Sequence, residues 1–257
     1  VSRYHEIRHS QPTVQERFPS LATLFDLLDA CSDAQYKAAM AFLDADESTG
    51  RVLYHSDLVL LSFIARSFEL IDAFVGAVDR WNLSLGSVIV RLQVDNVLRA
   101  HLIATSPEPH AILVHLLNGE PLQRYRLPER QVLMLPPADR KDNRATDKNL
   151  RSLAAAVHPW VDELYETASQ WVHHSAAHVL TTWKVTPDDT TGAISGRIPV
   201  DVEQFDEGFL MGLLGAMLRA SDGLLAYAEG WAEQKREWMA AGDQGALASK
   251  PPSPQGT

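Results

Sequence analysis

The sequence predicts an all-α fold, a bundle of five to seven helices carrying one β-hairpin at about 179–200. Three observations lead there. Apolar residues recur at three- and four-residue intervals through most of the 257 residues. Two β-branched runs flanking a turn cluster stand out as the exception, Val179–Val185 and Ala193–Val200. Finally, 46% apolar and 22% charged residues is a globular composition with enough material for a sizeable core.

Residues 1–19 are polar and aperiodic and read as a flexible arm. Ser20 is placed to cap a helix carrying Leu21, Leu24, Phe25 and Leu28, with a break expected near Ser32-Asp33 and resumption through Leu43. After a polar loop, Ser56 or Asp57 caps a helix to about Trp81, with Ser62, Arg66, Glu69, Asp72 and Asp79 on one arc. The next helix, about Leu83 to Thr105, is apolar nearly all round, which marks a central helix. A short helix follows at Ala111–Leu117, then an irregular stretch over 119–146. Thr146 caps the next helix, and Pro159 starts another that runs to about His178. Beyond the hairpin, a last amphipathic helix spans about Gln204 to Ala240, with Asp222-Gly223 as a point of bending. Its Gly208, Gly212 and Gly215 suit close helix packing. The expected organisation is one helical domain over 20–240 and a disordered tail over 241–257.

A net charge of −10 argues against tight non-specific nucleic-acid binding, which needs Lys and Arg to neutralise phosphates, although a local basic patch remains compatible with it. The most apolar stretch, Leu58–Val78, is interrupted by Arg66, Glu69 and Asp72, so no membrane span is expected. One cysteine, Cys31, excludes an internal disulfide and a cysteine-based metal cluster, and VSRYHEIRHSQP carries no apolar stretch, so a secretory signal is not expected. A cytoplasmic protein is the expectation.

Four of the ten histidines lie between His158 and His178, mostly on one helix. Tyr165, Ser169 and His173 are spaced four apart and share a stripe of that helix. His174 and His178 form a second such pair, rotated by about 100°, with Ser175 between them. A phenol, a hydroxyl and an imidazole on one stripe suit general acid–base chemistry, because histidine titrates near neutrality. They equally suit a hydrogen-bonded seam between helices. The His174/His178 spacing matches two metal ligands, but position 175 is Ser where the zinc-protease pattern has Glu, and no metal or other cofactor is expected. On the central helix Arg91, Asp95 and Arg99 also stand four apart. Charges on so apolar a helix need partners or a bound anion, so these three join the ligand-binding candidates with His174, Ser175 and His178.

The segments R91-L-Q-V-D-N-V-L-R99 and Y165-E-T-A-S-Q-W-V-H173-H-S-A-A-H178 resemble an uncharacterised set of bacterial helical proteins. Those carry the same two helices followed by a hairpin. More distantly, the arrangement resembles the HEPN-type bundles of prokaryotic defence and toxin systems, which cleave RNA without metal through an R-x(4–6)-H motif. No Arg precedes His173 in that frame; Arg151-x6-His158 has the spacing. The resemblance implies ribonuclease activity with His173, or His158 with Arg151, as the acid–base group. The residues themselves favour a small anionic ligand or a protein partner held where Arg91, Asp95 and Arg99 meet Tyr165, Ser169 and His173. A purely structural seam in an oligomer is the third reading.

Overall fold

The computed structural model describes residues 10–44, 55–172, 184–187, 194–197 and 205–240. The described residues are mostly helical. Nine α-helices lie among the described residues, in order α1 (Val14–Arg17), α2 (Ala22–Asp44), α3 (His55–Asp79), α4 (Leu83–Thr105), α5 (Pro109–Leu117), α6 (Glu129–Met134), α7 (Asp147–Ala155), α8 (Trp160–Val172) and α9 (Glu207–Ala240). The all-α class holds. The hairpin expected at about 179–200 lies mostly outside the described residues, as do the tail and residues 1–9 of the arm.

Contacts divide the chain into two compact units. The first comprises 1–32, 67–97 and 158–222, the second 33–66, 98–157 and 223–257. The first unit has a continuous apolar core that includes Phe25, Leu28, Ile71, Phe74, Val90, Leu210, Leu214 and Met217. The arm joins it. Thr13 and Glu16 form a reciprocal capping box that starts α1, and Val14 is fully buried. A short helix, Val14–Arg17, thus lies within the stretch expected to be a flexible arm.

Trp81 ends α3 in the left-handed conformation, φ 60°. Asn82 N–H reaches back to Ala77 O at 2.7 Å and Trp81 N–H to Val78 O at 2.9 Å, the two bonds of a Schellman terminus. A tryptophan tolerates this position because its ring is buried and its Nε1 donates to Pro12 O at 2.8 Å. The indole thereby also ties down the chain entering α1.

Several boundaries depart from expectation for local reasons. Helix α2 runs unbroken through Ser32-Asp33, since both residues cost a helix only a few tenths of a kcal/mol beyond average. Buried Cys31, Gln35 and Ala38 continue the stripe of Leu21, Phe25 and Leu28. Ser20 is not a helix cap; it lies in a 3-10 turn and donates its hydroxyl to Glu207. Asp57 sits inside α3, where its carboxylate is buried. Thr146 caps α7 as expected, accepting from Asn149 N–H at 3.4 Å, and α4 has the bounds and the near-total burial that its sequence implies.

Helix α9 bears on the expectation of no membrane span without deciding it. Glu207–Glu237 is long and apolar enough by length and composition, a test that core helices of soluble proteins also pass. Its apolar residues have a sided arrangement: Leu210, Leu214 and Met217 are buried in the first unit, and Leu224, Ala228 and Trp231 are buried in the second.

Candidate functional site

Two helical registers build the polar seam. Arg91 and Asp95 lie one turn apart on α4, and Tyr165 and Ser169 one turn apart on α8. All four belong to the first unit. The Arg91 guanidinium donates to the Asp95 carboxylate through Nη1 and to Ser169 Oγ through Nε at 3.1 Å. Its flat face lies 3.6 Å from the centre of the Tyr165 ring. Arg91 and Asp95 are each 9% exposed, and Tyr165 and Ser169 are half-buried. One cation is therefore engaged on an edge, at its Nε and on its face. This planar, multiply bonded use is one that arginine serves and lysine does not. Because Asp95 neutralises the charge, an incoming anion would compete with an ion pair already formed inside the protein.

The other candidates distribute differently. Arg99 belongs to the second unit, where its Nη2 stands 3.9 Å from Asp147 Oδ1 of α7. Arg151 is also in the second unit, on α7. His158 is in the first, its ring centre 6.2 Å from that of Trp160 and its carbonyl accepting from Val161 N–H. His173, His174, Ser175 and His178 lie outside the described residues. Among the described residues no three His, Cys, Asp or Glu side chains form a metal-binding cluster.

Beside the seam, on the same two helices, a cavity of about 590 Å³ opens in the first unit. Ser87 and Val90 of α4, Leu164, Thr167 and Ala168 of α8, and Phe209, Leu213 and Ala216 of α9 line it. Trp160, Glu163 and Arg219 complete the lining, with the Arg219 guanidinium 5.5 Å from the Trp160 ring centre. Gly208, Gly212 and Gly215 form part of the wall. A side chain added at Gly212 or Gly215 would meet nothing within 4 Å. These glycines were expected to let two helices pack closely. Among the described residues Gly212 and Gly215 instead face open space.

Three buried polar groupings escaped sequence reasoning. In the first unit Gln93 donates to Ser67 Oγ at 2.6 Å and Ser221 Oγ at 3.2 Å, and accepts from Asn96 at 3.2 Å, linking α3, α4 and α9. In the second, Asp57 accepts from Lys235 Nζ and Trp231 Nε1, both at 2.7 Å. His101 Nδ1 and Tyr227 Oη are 2.7 Å apart, and burial pushes the Tyr227 phenol well above its ordinary pKa. A signal existed for Lys235: it falls four residues after Trp231 on the buried stripe of α9. No sequence signal identified Asp57 as its partner, since the two are 178 residues apart.

No protein family matches the chain, and no curated protein and no solved structure matches it.

Proposed function

We propose that this is a cytoplasmic binding protein that takes a small amphipathic anion into the groove between α4, α8 and α9. The observation that carries this reading is the cavity of about 590 Å³ opened by bare glycines. Small-molecule sites commonly occupy about 300–1,000 Å³, with apolar walls and a few placed polar groups. Val90, Leu164 and Leu213 suit an apolar body, and Arg219, steadied against Trp160, suits one anionic group. Glu163 in the same lining disfavours a multiply charged ligand by like-charge repulsion. In this reading the Arg91 seam is support: it ties α4, the floor of the groove, to α8, its wall. The fold proposed around it includes a hairpin between α8 and α9. Antiparallel pairing of Lys184–Pro187 with Ile194–Arg197, Lys184 opposite Arg197, supports that part.

Titration of the full chain with the fluorescent dye anilinonaphthalene sulfonate, an apolar anion, tests the proposal. Saturable binding is expected in the wild type. Gly212→Phe, which fills the groove, is expected to abolish it, and Arg219→Gln to weaken it by about tenfold. Gly212→Ala is expected to stabilise the protein by about 0.5–1 kcal/mol in urea denaturation, because its methyl group meets no neighbour and glycine is a poor helix former. Dye binding that Gly212→Phe leaves intact overturns the proposal.

A further inference from the structure

Residues 120–151 are basic within an acidic chain, with eight Lys and Arg against five Asp and Glu. Most of those acids are already matched. Glu120 pairs with Arg124, Asp139 with Lys148, Asp142 with Arg144, and Asp147 with Arg99. Arg126, Arg130 and Lys141 have no such partner among the described residues. All of these residues belong to the second unit.

Arg126 and Arg144 face each other across an isolated antiparallel bridge. Leu127 N–H bonds to Asn143 O at 2.7 Å and Ala145 N–H to Tyr125 O at 2.8 Å. Those flanking bonds make Arg126 and Arg144 a non-hydrogen-bonded pair, the kind whose side chains stand closer, with Cβ atoms about 4.5–5.5 Å apart. Like charges directly opposite each other are destabilising there. Asp142 takes only the Nε and Nη2 side of Arg144, at 2.8 and 3.0 Å, which steadies the fork and leaves its Nη1 edge available. The whole fork of Arg126, an exposed residue, is available beside it.

We propose that Arg126 and Arg144 together bind the phosphate group of a small phosphorylated molecule. The fork of Arg126 and the remaining Nη1 edge of Arg144 offer a phosphate paired N–H donors. A dianion bridging them would be attracted by the free fork of Arg126 and by the Nη1 edge of Arg144, against the Asp142 carboxylate that Arg144 already holds. A nucleic acid fits less well. The one aromatic residue in 120–151, Tyr125, is buried and offers no face for base stacking, and a net charge of −10 opposes a polyanion.

The test uses the full chain with inorganic phosphate as the probe, read by thermal melting and by calorimetric titration. Phosphate is expected to raise the melting temperature saturably, whereas chloride at matched ionic strength does not. In phosphate-free buffer Arg126→Gln is expected to melt at or above the wild-type temperature, because the repulsion is relieved, which also establishes that it folds. The same variant is expected to bind phosphate about tenfold more weakly or worse, and Arg126→Lys also more weakly than wild type. Arg124→Gln, which removes another exposed cation, is expected to keep the wild-type response. Non-saturating phosphate effects, equal losses in Arg124→Gln and Arg126→Gln, or an oligoribonucleotide bound more tightly than phosphate through these two arginines would each overturn the proposal.

Discussion

Lys235→Met is expected to destabilise the protein by about 3–5 kcal/mol in urea denaturation. Lys235 is 1% exposed and Asp57 is fully buried, with 2.7 Å between Nζ and the carboxylate. Methionine fills nearly the same volume, so the loss is electrostatic: the Asp57 carboxylate is left in a low-dielectric interior with Trp231 Nε1 but without its cation. The double variant Asp57→Asn, Lys235→Met removes both charges and is expected to recover most of the loss, because an absent ion pair costs far less than half of one. A double-mutant cycle measures the coupling. A loss below about 1 kcal/mol for Lys235→Met would mean that Asp57 is satisfied by other groups.

Arg91→Met is expected to cost about 2–4 kcal/mol, since Asp95 keeps its charge in a site 9% exposed while Ser169 and Tyr165 lose their shared partner. Arg91→Lys is expected to fall between the variant and the wild type: it preserves the charge but not the Nε bond or the planar face over the phenol. This experiment separates the two readings of the seam. If it is support for the groove, Arg91→Met lowers stability and changes dye affinity little, because Arg91 does not line the cavity. If it is itself the binding site, Arg91→Met removes binding as well as lowering stability.

Local patterning made much of the fold legible. Helix α4 is predicted by its all-round apolar surface because burial on every side leaves no polar face to encode. Thr146 is legible as a cap because capping is a contact between neighbours in sequence. Trp81 was not, because its left-handed turn is held by Pro12, 69 residues away. The candidate site divides in the same way. Four-residue spacing placed Arg91 with Asp95 and Tyr165 with Ser169, and in the structure Arg91 touches both Tyr165 and Ser169. Spacing could not say that one guanidinium would be engaged by all three partners at once.

By itself the sequence determined the helical class, the central place of α4, and the registers that carry the seam, since each follows from periodicity along one helix. The tertiary structure alone decided what those registers face. Asp57 became a buried ion-pair partner instead of a cap, and the glycines of α9 became an open wall instead of a packing contact. Tyr165 and Ser169 became partners of Arg91, in a polar seam beside the cavity. The physical reason is that helix periodicity specifies which side chains share a face, while the energy of a buried charge or an empty space depends on residues far along the chain.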